Sequence, residues 1–194
     1  QGLAWSSRTG EILFTGSVSG FARSLHKMNL SGREQLLARE LNGMTVQDIT
    51  PYGRILVAFE SFRFDVRGLA PGESRDRDLS WLDHSYPSYL SADGKTLLIS
   101  EWAEAAGPTG TVCVRGTDGS PAVPLGRGQG IALSPDGKWA LTHLVNSQQF
   151  VLLPTGPGES RVIERFGLEH RYGALWLPDS KSVVFKGSAP GRPP

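Results

Sequence analysis

The residue types that could support chemistry in this 194-residue chain are four histidines, a set of aspartates and one cysteine. Their spacing argues against most of that chemistry. His26, His84, His143 and His170 are scattered with no HxH or HExxH arrangement, so a metal site would have to be assembled by tertiary packing alone. They read as loop or strand-face residues. Asp93, Asp118, Asp136 and Asp179 all stand beside turn positions, where a structural role already accounts for them without calcium or catalysis. Cys113 excludes an internal disulfide and any cysteine-based zinc site, and within Thr111-Val112-Cys113-Val114 it reads as a small apolar strand residue. Gly16-Ser17-Val18-Ser19-Gly20 mimics a nucleophile elbow, but Val18 occupies the position that needs serine. Gly126-Arg127-Gly128-Gln129-Gly130 mimics a phosphate loop, yet a short strand and a turn follow it, with no helix to offer its N-terminus. Asn29-Leu30-Ser31 matches a glycosylation sequon, which matters only in a eukaryotic secretory setting. No catalytic residue, metal ligand or cofactor is therefore expected.

The elements that must position these residues are announced by a repeat. Leu133-Ser134-Pro135-Asp136-Gly137-Lys138 recurs as Leu90-Ser91-Ala92-Asp93-Gly94-Lys95 and as Trp176-Leu177-Pro178-Asp179-Ser180-Lys181. Fainter copies begin at Ile49 and Trp5, and the five leading apolar residues are 44, 41, 43 and 43 positions apart. A period of roughly 40–45 residues is the length of one four-stranded propeller blade. Within a unit the pattern predicts two hairpins. Residues 131–133 form an inner strand, Ser134-Pro135-Asp136-Gly137 turns it, and residues 139–144 return. Residues 149–153 make a third strand, and 161–163 a short outer one after a second turn at 155–160. That second turn class recurs at 30–33, 70–73 and 117–120, giving four strands per period. No segment sustains a 3.6-residue apolar period, and residues 31–41, the nearest to one, sit where an outer strand belongs. The fold class expected is all-β, a propeller segment of about four and a half four-stranded blades. The units run approximately 1–44, 45–85, 86–128, 129–171 and a half unit 172–187, with a tail at 188–194. Closed propellers carry about 4–8 blades. The chain, which opens at Gln1, therefore reads as part of a longer protein whose remaining blades are among its expected partners.

Twenty basic and nineteen acidic residues leave a net charge of +1, so no global field favours nucleic acid or an anionic membrane. Glu73-Ser74-Arg75-Asp76-Arg77-Asp78 alternates in sign and reads as a solvated strand or turn. Twenty-four glycines and thirteen prolines fall between short apolar runs, as many tight turns require. No apolar stretch approaches the roughly 20 residues that span a bilayer, so direct membrane insertion is not expected.

The Ser134-Pro135-Asp136-Gly137-Lys138 repeat, with its copies at 90–99 and 176–185, resembles the TolB-like propeller repeat of bacteria. The eukaryotic Gly-His and Trp-Asp signature is absent. Residues 69–83 and Arg115-Gly116-Thr117-Asp118-Gly119-Ser120-Pro121-Ala122-Val123 resemble the C-terminal propeller of bacterial membrane-anchored serine/threonine protein kinases. Tyr52 and Ser180 depart from the turn pattern, where Asp and Gly are usual. The resemblance implies a non-catalytic binding or interaction module, the sensory or scaffolding part of a larger bacterial signalling protein, with an extracytoplasmic or periplasmic location. The other reading is the propeller gate of an oligopeptidase-like serine hydrolase whose catalytic domain lies elsewhere.

Both repeated turn classes follow an odd-numbered strand, so they emerge on one rim. The remaining connections, near 15–20, 38–43, 60–63, 82–87, 102–110, 127–128, 146–149 and 167–171, emerge on the other. They vary in length and chemistry, as a recognition surface on a repeated scaffold does. The candidate partner-binding residues on that rim are His84, Tyr86, Trp102, Glu104, Arg127, His170 and Arg171, for a protein or small ligand. Trp5, Trp139 and Trp176, beside the repeated turn, are expected to pack between blades. Trp81, Tyr86 and Trp102 are the better aromatic candidates for exposure, though packing is the commoner role for such side chains there too.

Overall fold

The computed structural model describes residues 2–17, 23–39, 43–61, 63–70, 72–102, 104–144, 146–164, 167–189 and 191. They fall into two compact units, residues 1–63 and 64–194.

In the first unit the turn chemistry and short apolar runs give β1 (Leu3–Ser6), β2 (Glu11–Gly16), β3 (Ser24–Asn29) and β4 (Glu34–Arg39), one antiparallel sheet in that order. The strand β4 settles the one stretch with a hint of helical spacing. A hairpin of β5 (Gly43–Ile49) and β6 (Ile55–Glu60) follows. Ala4, Leu13 and Leu25 pack against Met44 and Val46 to form the core of this unit.

The second unit opens with a two-residue ladder, β7 (Arg67–Gly68) against β8 (Arg77–Asp78). Two complete blades follow. The first is β9 (Ser85–Leu90), β10 (Thr96–Glu101), β11 (Thr111–Gly116) and β12 (Val123–Arg127). The second is β13 (Gln129–Leu133), β14 (Trp139–Leu144), β15 (Gln149–Pro154) and β16 (Arg161–Val162); its second and third strands fall within a residue of the sequence expectation, and its first begins two residues earlier than expected. The hairpin β17 (Glu169–Trp176) and β18 (Val183–Ser188) ends it. The one helical element among the described residues is a 3₁₀ turn at Glu104–Ala106.

Burial explains the composition of the middle strands. Thr96–Glu101 is buried from Leu97 onward on both faces, because Leu98 meets the next blade while Leu97 and Ile99 meet Val66 and Leu79. A strand covered on both sides needs a continuous apolar run rather than alternation. In Glu11–Gly16 burial alternates at Leu13 and Thr15. The two blades of the second unit share a core of Leu98, Val112, Leu133, Ala140, Val151 and Leu153. They also hydrogen-bond directly, the Gly130 N–H donating to Ser100 Oγ at 2.9 Å. Gly130 permits this approach, since a Cβ there would stand 3.0 Å from a Leu98 methyl.

The second repeat unit departs from the four-stranded layout. Among the described residues β6 pairs with β5 alone and β7 with β8 alone. The sequence between β7 and β8 is charged and solvated, and its exposed side chains bond across the loop: Arg67 to Asp76 at 2.6 Å, and Arg77 to Glu73. Such exposed pairs add little stability, and the charged stretch offers few apolar residues to extend the ladder.

Candidate functional site

The two rims are defined by hydrogen bonds inside each blade. Thr117 Oγ1 donates to the Gly94 carbonyl at 2.8 Å, and its N–H donates to the Lys95 carbonyl. Thr155 makes the same pair of bonds to Gly137 and Lys138. The two turn classes are therefore in contact on one rim. At the other end of the first complete blade, Glu101 is the register partner of Ser85 and of Thr111, and Thr111 is the partner of Arg127. The 102–110 connection, the entry to β9 and the exit of β12 thus share the opposite rim.

The Asp-Gly turns repeat atom for atom. The hydroxyls of Ser91 and Ser134 each donate to Oδ1 of Asp93 and Asp136 at 2.6 Å, and the same oxygens accept the N–H of Lys95 and Lys138 at 3.1 Å. These bonds, the serine hydroxyl foremost, hold both carboxyls below the usual aspartate range. At the third copy Leu177 occupies the serine position, and Ser182 supplies the hydroxyl to Asp179 instead. Gly94 and Gly137 both take φ of 71°, and Ser180 adopts the same left-handed region at 56°. A cleft of about 510 Å³ lies between these turns, lined by Tyr89, Leu133 and Trp176 with Asp93 and Asp136 at its edge.

On the opposite rim, four of the expected residues have described side chains. His84 and Tyr86 flank Ser85 and meet one ring, that of Phe64, at centroid distances of 5.8 and 4.7 Å. Backbone bonds fix this group: Phe64 N–H donates to the Asp83 carbonyl, and Ser85 N–H to the Phe64 carbonyl. Trp102 joins it, its N–H donating to the His84 carbonyl at 3.0 Å. Its ring lies against Gly110, where a Cβ would come within 3.1 Å of it. Arg127 is exposed on the same rim but three strands away from Ser85, a distance of about 14 Å. His84, Tyr86 and Trp102 thus form one neighbourhood, and Arg127 lies outside it. The side chains of Glu104, His170 and Arg171 lie outside the described part of the structure.

Phe64 escaped sequence reasoning because nothing local distinguishes it; only the alternation of Phe62 and Phe64 hints at a strand face. Trp81, half-exposed at 42%, borders the group as its sequence position suggested. Glu101 was also missed. It closes the run Leu97-Leu98-Ile99-Ser100 and is fully buried, its Oε1 accepting the Ser85 hydroxyl at 2.5 Å. A carboxylate ending an apolar strand was the available signal.

His143, His26 and Cys113 are held within packed surroundings. His143 is buried with its ring 5.4 Å from Phe150, which meets Phe185 at 5.7 Å. His26 stacks on Phe14 at 5.3 Å and approaches Glu34 at 2.7 Å. Burial, with a smaller contribution from Glu101, pushes the Cys113 thiol up to about 11, which keeps it protonated and unreactive. Trp139 packs beneath the Arg161 guanidinium at 4.7 Å. Trp5 is 51% exposed, contrary to the expected packing role. Among the described residues, no group of three or more His, Cys, Asp or Glu side chains could hold a metal ion.

No protein-family model and no curated protein matches the chain. Solved structures do. The putative TolB from Agrobacterium tumefaciens aligns over 99% of this chain and 71% of its own, with a TM-score of 0.53 and 17% identity. The fold is that of a TolB-like β-propeller. At that identity the match speaks for the fold alone. TolB from Acinetobacter baumannii (TM-score 0.37, 16% identity, 82% of this chain and 44% of its own) and a nidogen/laminin complex (0.40, 16%, 84% and 64%) match too distantly to add to it. The chain is an all-β propeller segment.

Proposed function

We propose that this propeller segment is a non-catalytic binding module, the sensory or scaffolding part of a larger bacterial signalling protein. Its partner, a protein or a small ligand, docks on the rim opposite the Asp-Gly turns. The observation that carries this reading is the aromatic group of Phe64, His84 and Tyr86 at strand entries on that rim, with Phe64 and Tyr86 about 40% exposed instead of folded into a core. Exposed aromatic rings on a rigid scaffold are typical anchors of recognition surfaces. The TolB-like fold supports an extracytoplasmic location for the module.

The decisive test is the coding sequence on either side of this chain. Protein-kinase motifs within about 300 residues upstream support the signalling assignment, whereas a G-x-S-x-G elbow downstream makes the segment the gate of a serine hydrolase. For the rim, alanine at Trp102, Arg127 or Arg171 weakens partner binding with thermal stability nearly unchanged. A partner that maps to the cleft between the Asp-Gly turns overturns the choice of rim.

A further inference from the structure

Residues 81–86, which carry Trp81, His84 and Tyr86, are held from below by one buried pair. The Trp81 and Leu82 N–H groups both donate to Ser85 Oγ, at 2.9 and 3.4 Å. Ser85 Oγ has one proton and two acceptors for it: Glu101 Oε1 at 2.5 Å and the Leu82 carbonyl at 3.3 Å. Ser85 and Glu101 are 1% and 0% exposed, so water does not compete for these bonds. The second oxygen of Glu101 is also buried and has no hydrogen-bond partner among the described residues.

With Glu101 ionised, the short Ser85–Glu101 bond claims the serine proton, and the serine lone pairs face Trp81 and Leu82. A protonated carboxyl can donate in turn. Its O–H then points to Ser85 Oγ, and the serine proton moves to the Leu82 carbonyl. Ser85 Oγ now has three donors for two lone pairs, and the longest bond, from Leu82, is the one displaced. We propose that Glu101 and Ser85 form a proton-operated latch on residues 81–86, closed when Glu101 is ionised and loosened at Leu82 when it is protonated. As a control on binding, the latch rests on the rim being the docking surface; as a conformational device it does not.

Burial, the largest influence, raises the Glu101 carboxyl above its usual range, against the Ser85 hydroxyl, the nearby N–H groups of Leu82 and Trp81, and Arg115. The latch therefore operates at milder acidity than an exposed glutamate would. The charged and titratable groups around it are Arg115 and Cys113 on β11, and Asp83 and His84 in the segment itself. Arg67, Arg77 and Asp78 on the short strands beyond Ile99 are bonded elsewhere: Arg67 to Asp76, Arg77 to Glu73 and the Asp118 carbonyl, and Asp78 to the Ser80 N–H. His84 is the imidazole within the segment itself, and its own substitution separates it from Glu101 in the test.

Amide hydrogen exchange resolved to Trp81 and Leu82, corrected for intrinsic rate between pH 4 and 8, tests the latch on the 194-residue chain. Leu82 is expected to lose about five- to tenfold in protection in a one-proton step as pH falls, the size of one ordinary hydrogen bond, with Trp81 changing less. Glu101→Gln, which accepts from Ser85 but cannot ionise, removes the step; Ser85→Ala leaves both amides weakly protected at every pH; His84→Gln keeps the step. A step that survives in Glu101→Gln or Ser85→Ala, disappears in His84→Gln, or is missing from the parent chain overturns the proposal. If the step is found but rim substitutions spare partner binding, the latch stands and the docking assignment fails.

Discussion

At the scale of single residues, the Asp-Gly turn concentrates the most chemistry into the fewest atoms. Gly137 and Gly94 sit at positive φ, a region that costs a side-chain-bearing residue energy. Replacing either with Val is expected to destabilise the chain by about 1–3 kcal/mol in denaturant melts. Ser180 shows that the position is not reserved for glycine, and its hydroxyl also accepts the Asp136 N–H at 3.1 Å. The lowered carboxyls of Asp93, Asp136 and Asp179 set the acid limit of these turns. Their contribution is complete above the unfolded aspartate value, near 4, and is lost as pH falls through the lower folded values. Acid titration of stability should show this loss, and Asp136→Asn should blunt it. Glu101 has the opposite sign. Its raised carboxyl binds a proton more tightly folded than unfolded, so its contribution improves as pH falls through the folded value and levels off below the unfolded one. Glu101→Gln should therefore be at least as stable as the parent at pH 7 and lack that slope. A variant that unfolds at pH 7 would show that the charge itself is required.

At the scale of elements, the blades of the second unit are joined by packing that tolerates no added volume. The Ser100–Gly130 bond and the Leu98 contact place β10 and β13 so that a side chain at Gly130 must push the blades apart. Gly130→Val is expected to cost about 1–3 kcal/mol, as overpacking of a filled core does. Circular dichroism melts would measure it, and a neutral substitution would mean that the two blades slide freely. The 43–85 region is the weak element by comparison. Its strands occur as two separate pairs, one of them only two residues long, and isolated hairpins are marginal in water. Hydrogen exchange should find β7 and β8 opening before β10 or β14.

At the scale of the whole molecule, apolar side chains stand in water where a soluble domain would cover them. In the first unit Leu3, Trp5, Leu56 and Phe59 are all more than half exposed, and β6 has an edge with no partner strand among the described residues. Unpaired edges beside apolar faces invite pairing with another chain. The 194-residue chain is expected to self-associate at tens of micromolar, read by sedimentation velocity. Phe59→Lys, which places a charge beside that edge, should shift the population toward monomer. A sharp monomer boundary for the parent chain would show that these faces are not adhesive.

The sequence alone determined the blade period, the two hairpins per period and the position of both turn classes. These follow from local chemistry: Asp bonds the backbone two residues on, Gly reaches positive φ, and a strand buried on both faces needs an unbroken apolar run. The complete blade 129–162 was legible almost strand by strand for that reason. Part of the His84–Tyr86–Trp102 neighbourhood was legible as well, since His84 and Trp102 lie in connections of irregular length, whereas Tyr86, expected in a connection, sits inside β9. What only the tertiary structure decided depends on residues far apart in the chain. Phe64 meets Tyr86 across the charged 65–80 segment, which no periodicity foretells. Trp5 is exposed despite sitting at the repeated turn, because burial depends on what packs against it and not on its position in the repeat. The sequence shows Glu101 as one polar residue after an apolar run. Its buried bond to Ser85 exists because β9 and β10 pair in one register, and register is fixed by the folded sheet.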